Sequence, residues 1–435
     1  MKISLISERR LILTIQDYRE NYHYFITCLI IGISIIALSI MILIDPENFW
    51  IKIFQWLGWL MIFGAIRAWL HYFRKPDNQF LLRGLLNTLA GFLLITFSEI
   101  PSRLAFILMA FYIIANAIIK LVSYLLFRKS AVTKRFVFLL TAIILIIVGL
   151  SILAGETLST RWTMIYFGIY GLFLGLTYLR DGFASITPKK QKEALKRRFR
   201  VSPPLIITAL MPRLMLEKIN ESVANEALPN QAIFDSKIRT NVEILVHVTE
   251  NGFGAIGHCD LIINNQVISY GNYDSASYKL FDALGDGVLL RTNKDSYIPF
   301  CLKESQKTIF SYGLLLDSTQ LEQVERDLNK LLVPAYDWRP KAFYDSSSNQ
   351  DYASKVYLES DKKACFSKFS SGKYQTYFVL GANCVEVVEA LLGPAGMDII
   401  RFNGIVSPGA YQDYLEKEYR RGDGIVLSKQ VYQPK

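Results

Sequence analysis

Tyr377-Phe378-Val379-Leu380-Gly381-Ala382-Asn383-Cys384-Val385-Glu386-Val387-Val388 decides how the C-terminal half of this chain is read. The aromatic and β-branched residues from Tyr374 to Leu380 predict a strand. Gly381-Ala382-Asn383 interrupts it. Val385, Val388, Leu391 and Leu392 then recur at helical spacing until Gly393-Pro394 stops them. The order is strand, tight junction, helix, and the junction sets a thiol, Cys384, at the foot of the helix. The thiolate is the reactive form of cysteine, and the positive end of a helix favours it.

A thiol nucleophile also needs a base. Gly257-His258-Cys259-Asp260-Leu261-Ile262-Ile263 puts a histidine at the head of an apolar strand. Its partnership with Cys384 has to be tertiary, because the two lie far apart in sequence. His247, inside the strand-like run Ile244 to Val248, is the rival base. Cys259 alternates to the opposite face from His258 and reads as core. Cys301 and Cys365 read as structural. Around these residues, Asn251-Gly252 marks a turn, and Asn264-Asn265 a hairpin between 259–263 and 266–270. Residues 319–332 and 411–419 read as helices, the second after Pro408-Gly409. Strands followed by helix, then strand into helix, describe an α+β domain.

The N-terminal half is different in kind. The chain has 435 residues and a formal charge of +10, and 20% of its residues are charged. Its mean hydropathy is nevertheless positive. The apolar residues concentrate in six runs, at about 25–44, 53–73, 80–98, 104–127, 136–154 and 162–181. Each approaches the ~20 residues that cross a bilayer as helix. Arg9, Arg10, Arg19, Arg74, Lys75, Arg128, Lys129, Lys134, Arg135 and the run from Lys189 to Arg200 all flank these spans on alternate loops. The positive-inside rule then places both termini in the cytoplasm, a reducing compartment. The expected divisions are a cytoplasmic segment 1–24, a membrane domain 25–182, a basic connector 183–240 and a soluble domain 241–435.

That distribution of charge argues against nucleic acid as partner. The run from Lys189 to Arg200 suits an anionic lipid surface, and equally a solvated stop signal that Pro203-Pro204 ends. Five cysteines, odd in number and without metal spacing, support neither a disulfide framework nor a zinc site. No metal and no organic cofactor is implied. Residues 1–24 lack the pattern of a cleaved signal peptide. Arg67, His71 and Arg83 lie near span ends, and Asn87 and Asn116 suit helix–helix bonding, so no transport path is indicated.

Asp45, Glu99 and Glu156 each close an odd-numbered span, and Gly91-Phe92-Leu93-Leu94-Ile95 corresponds to Gly149-Leu150-Ser151-Ile152-Leu153. This repeat resembles the HdeD-type membrane proteins, which implies a bundle of three helical hairpins. Gly257-His258, Val267-Ile268-Ser269-Tyr270-Gly271 and Asn383-Cys384 resemble the circularly permuted papain-like fold. In that fold the histidine strand precedes the cysteine helix. Permuted NlpC-like hydrolases, lecithin:retinol acyltransferase-like proteins and PPPDE-type isopeptidases share it. The resemblance implies Cys384 as nucleophile, His258 as base and a third polar residue on the next strand. That strand offers Ser269 and Tyr270, with Asn272 beyond. Tyr270 ranks first, because its position matches the face of His258. The expectation is a bacterial-type inner-membrane protein bearing a thiol hydrolase or acyltransferase for an amide, ester or thioester, its acyl, lipid or peptide substrate unnamed. The alternative is an inactive papain-like binding domain on a membrane stress or scaffold protein.

Overall fold

Backbone groups inside a bilayer must be satisfied within their own segment, so long apolar runs fold as helices. The computed structural model describes residues 2–186, 233–234, 240–248, 257–303, 308–348, 350–394, 407–421 and 426–433. The basic run from Lys189 to Arg200, Pro203-Pro204 and Asn251-Gly252 lie outside the described residues. Helices α1 (Lys2–Ile44), α2 (Phe49–Arg74), α3 (Asn78–Thr96), α4 (Glu99–Lys129), α5 (Arg135–Leu153) and α6 (Thr157–Ile186) come first. All six carry a stretch long and apolar enough to cross a membrane, that of α1 being Tyr22–Ile44.

Two units can be separated. One gathers Ile33–Tyr124 and Lys134–Gly175; the other gathers Met1–Gly32, Leu125–Thr133 and Leu176–Lys435. In this division the ends of α1, α4 and α6 group with the C-terminal half.

Within the helical unit, glycines mark where backbones meet. A Cβ at Gly91 would lie 2.8 Å from the carbonyl oxygen of Gly58 on α2. One at Gly149 on α5 would lie 2.5 Å from Ile114 on α4, and one at Gly171 on α6 would overlap the hydroxyl of Ser39 on α1. Such small residues allow the close approach that packs helices in lipid. The contacts join α2 to α3, α4 to α5 and α6 to α1, so these pairs are offset by one span from the hairpins counted along the sequence.

The other unit is built on a sheet. Its strands are β1 (Ile233–Phe234), β2 (Val242–Val248), β3 (His258–Ile263), β4 (Gln266–Gly271), β5 (Leu284–Asp286), β6 (Val288–Asn293), β7 (Thr308–Leu314), β8 (Ala335–Trp338), β9 (Cys365–Phe369), β10 (Thr376–Phe378) and β11 (Val426–Tyr432). Its helices are α7 (Lys294–Lys303), α8 (Ser318–Leu332), α9 (Lys341–Tyr344), α10 (Tyr352–Glu359), α11 (Cys384–Leu392) and α12 (Pro408–Arg421). Nine of the described strands form one antiparallel sheet, in the order β1-β11-β7-β2-β3-β4-β6-β9-β8. Asn264 and Asn265, both at positive φ, turn β3 into β4 as the hairpin signal predicts. Asp317 and Gln320 close a capping box at the start of α8.

Both faces of the sheet are covered. On one, Val246, Leu261, Tyr270 and Phe310 pack against Val385 and Val388 of α11, Val324 of α8 and Tyr411 and Leu415 of α12. On the other, Leu245, Ile262, Val267 and Leu290 pack against Tyr297 and Phe300 of α7 and Val356 of α10. One expectation needs correction. The predicted strand 374–380 shrinks to Thr376–Phe378, because its partner β5 offers only three residues and the pair stands apart from the main sheet. The chain also returns after its last helix as β11, pairing with β7.

Leucine in place of Gly91 forces α2 from α3, and overpacking of this kind costs about 1–3 kcal/mol. A lowered thermal midpoint of the detergent-solubilised protein is the expected outcome; an unchanged midpoint contradicts the contact.

Candidate active site

The strand–helix junction is built by one side chain. Asn383, the N-cap of α11, accepts from the Glu386 amide through Oδ1 at 3.2 Å and donates through Nδ2 to the Val379 carbonyl at 2.9 Å. The first satisfies an otherwise unpaired amide of the helix's first turn; the second ties that turn to the preceding strand. Cys384 follows as the first helical residue. Gly257, at φ 94°, turns the backbone into β3 so that His258 is that strand's first residue. Helix α11 lies across β3 and β4. The Cys259 amide donates to the Cys384 Sγ at 3.4 Å.

His258 and Cys384 are therefore neighbours, and the charge of Cys384 bears on the imidazole. Burial opposes the charge of His258. Cys384 first and Asp260 next overcome that, and its pKa rises to about 10. Nε2 of His258 lies 2.9 Å from Asp260 Oδ1, 3.1 Å from Ser269 Oγ and 3.0 Å from the Tyr273 hydroxyl. The side chain of His258 is 19% exposed, while that of Asp260 is fully enclosed. On its other oxygen, Asp260 meets His247 Nε2 at 2.7 Å and accepts from the Tyr297 hydroxyl at 2.8 Å. Burial favours protonation of Asp260, but His258 and then His247 hold it well below the usual carboxylate range. Direct nitrogen–oxygen contact leaves no room for an ion between these groups. Among the described residues no set of three such donors has the geometry of a metal site.

Register explains this grouping. His247 and His258 are directly opposed on β2 and β3, and Asp260 is opposed by Ser269 on β4. Residues i and i+2 of a strand share a face, so His258 and Asp260 do as well. Asp260 escaped the sequence reading, although this spacing was its signal. The rival base His247 turns out to stand behind Asp260, 2% exposed.

Tyr270, ranked first as the third residue, does not meet the imidazole. Its hydroxyl donates to the Tyr374 carbonyl at 3.0 Å, and its ring packs with Tyr374 and Tyr377 on the face that holds Cys384. Position 270 falls on the opposite face from 269, and Ser269 is the one that reaches His258. Tyr377, read only as a strand residue, packs in the same buried cluster as Cys384. Burial, and after it Cys384, pushes its phenol well above the ordinary value, so it stays a neutral donor. Cys384 itself is 2% exposed. Cys259 and Cys301 are buried and Cys365 is exposed.

Comparison with known proteins bears on the N-terminal half. A family model described as "Short repeat of unknown function (DUF308)" matches residues 30–96 and again 82–154. HdeD belongs to that family, which bears out the likeness expected for the apolar helices. With six apolar helices, this makes the chain a multi-pass membrane protein. No curated protein matches the chain, and no solved structure does.

The elevated pKa of His258 has a consequence for stability. Unfolded, an imidazole titrates near 6.5; folded, this one titrates near 10. Its contribution is whole below about pH 6.5 and is lost as pH climbs towards 10. Asp260 has the opposite sign: its contribution holds above about pH 4 and is lost as pH falls through its lowered value. The thermal midpoint should fall between pH 7 and 10, and His258→Gln should flatten that slope. Equal slopes in the two proteins refute the assignment.

Proposed function

We propose that this protein is a membrane-anchored thiol hydrolase or acyltransferase, with a permuted papain-like C-terminal domain. The observation that carries the proposal is the array Asp260–His258–Cys384, in which a buried carboxylate holds an imidazole beside a sulfur at the foot of a helix. A nucleophile, a base and a group that orients the base are the parts that acyl transfer needs. Asp260 takes the role that the resemblance assigns to a residue of the next strand; Ser269 and Tyr273 assist it.

Asp260, Ser269 and Tyr273 all gather at Nε2, which leaves Nδ1 of His258 for the sulfur. Cys384, its proton passed to His258, attacks the carbonyl carbon of an amide, ester or thioester. The carbon–sulfur bond forms as the carbonyl π-electrons move to oxygen. Backbone amides at the start of α11 and the Tyr377 hydroxyl are the nearby donors for that oxyanion. Collapse expels the leaving group, which takes the proton from His258. Water or another acceptor then attacks the thioester, giving its proton to His258 and restoring the thiol. The positive-inside pattern supports a cytoplasmic location for this domain, at a bacterial-type inner membrane, and the connector from Lys189 to Arg200 suits anionic lipid.

A second reading draws on the 2% exposure of Cys384. A sulfur so enclosed suits an inactive binding domain, whereas catalysis requires local opening at the junction.

Iodoacetamide separates the two readings, because the exposed Cys365 is an internal reference for an ordinary thiol. An enzyme should alkylate at Cys384 faster than at Cys365 at neutral pH, as read by peptide mass spectrometry of the intact protein. His258→Ala and Asp260→Asn should each slow that modification, the first by about 10²-fold, the lower end for a lost base. Labelling of Cys384 slower than Cys365 and indifferent to both substitutions supports the binding domain instead.

A further inference from the structure

A cavity of about 350 Å³ opens beside the C-terminal half of α11, away from the sulfur. That volume is within the ~300–1,000 Å³ range of small-molecule sites. Leu331 of α8, Phe369 of β9 and Leu391 of α11 make its walls apolar, and Lys330 and Lys373 stand on it as cations beside one carboxylate, Asp327. Neither lysine is buried: their side chains are 71% and 39% exposed. Lys330 bonds Asp327 at 2.8 Å and Lys373 pairs with Glu386. An ammonium has three donors, so each can also bind an anion.

What occupies such a hollow depends on where it opens. Gly372, one of its lining residues, donates its amide to the Ser130 carbonyl at 3.0 Å. Ser130 directly follows α4, a candidate span whose last turn carries Arg128 and Lys129. The end of a span marks the edge of a bilayer. An apolar hollow with cations on its wall, tied to that edge, is matched by one abundant molecule, an apolar chain that ends in a phosphate.

The geometry points to a phospholipid-binding site here, with an acyl chain against Leu331, Phe369 and Leu391 and the phosphate on Lys330 and Lys373. The site is independent of the proposed acyl chemistry and holds whether or not Cys384 is a nucleophile. It is nevertheless wired to that region. Tyr374, also in its wall, donates its hydroxyl to the Glu386 carbonyl on α11 and accepts from Tyr270, which packs near Cys384.

The test uses the full chain, purified in detergent and depleted of lipid. Native mass spectrometry and thermal shift follow titration with phosphatidylglycerol, with diacylglycerol of the same chain length and with inorganic phosphate. Lipid that coats the apolar helices is common to all variants, so the site is read as the difference from variants that fill it. Ala390→Trp fills the hollow from an exposed position of α11, and Ser371→Trp does so from an exposed loop. The expected result is one saturable equivalent of phosphatidylglycerol in the parent, weakened at least tenfold in either filled variant and several-fold in Lys330→Gln. Diacylglycerol binding as tightly as phosphatidylglycerol overturns the phosphate assignment, and so does binding of phosphate alone at the same strength. Filled variants that melt like the parent and still take up the saturable equivalent overturn the site. Should one of them fail to fold, the other and Lys330→Gln decide.

Discussion

A carboxylate without solvent holds two imidazoles, and the proposed site depends on that contact. Removing an ionised carboxylate from water costs several kcal/mol unless partners replace the hydration. Asp260 has such partners in His247, His258 and the Tyr297 hydroxyl. The neighbouring strands supply them because β2, β3 and β4 are in a register that opposes 247 to 258 and 260 to 269. The same contact orients His258: with Nε2 engaged by Asp260, Ser269 and Tyr273, the ring has one fixed rotation. Core packing of β2–β4 and the aim of the imidazole thus share one cause.

Much of this was legible in the residues. Hydropathy located six helices to within several residues at most ends, because apolar length is a one-dimensional property. The Asn264-Asn265 turn, the 319–332 helix and the helix that begins at Cys384 followed from local rules of turn, cap and period. Features of tertiary origin did not. Asp260 looked like a polar residue in an apolar strand, and its role depended on the cross-strand register that brings His247 opposite His258. Tyr270 was assigned to the wrong side of its strand, since a count from His258 passes through a hairpin turn where the alternation resets. Residues 374–380 have strong strand character, but only three of them find partners, and propensity says nothing about partners. The strand β11 carries Lys429 and Gln430 amid its apolar residues, a pattern that reads as tail until β7 is known to lie beside it.

In the helical unit the repeat has a physical content that hydropathy alone does not reveal. Gly91 and Gly149 stand at corresponding places of the two sequence repeats. Each is where a neighbouring helix comes too close for a side chain. Between lipid tails and leucines there is little difference in solvation, so association relies on packing of this kind. The recurrence of one small residue explains why a repeat with no chemical motif can still specify which helices adjoin.

Asn383 shows how narrowly the proposed nucleophile can be aimed. Its amide group faces a donor on one side and an acceptor on the other, from the helix and the strand respectively. An aspartate there would retain the shape and keep the first bond, yet set an oxygen against the Val379 carbonyl, turning attraction into repulsion. The direction in which the sulfur leaves the backbone therefore rests on the identity of a single atom, a nitrogen in the side chain that comes just before it.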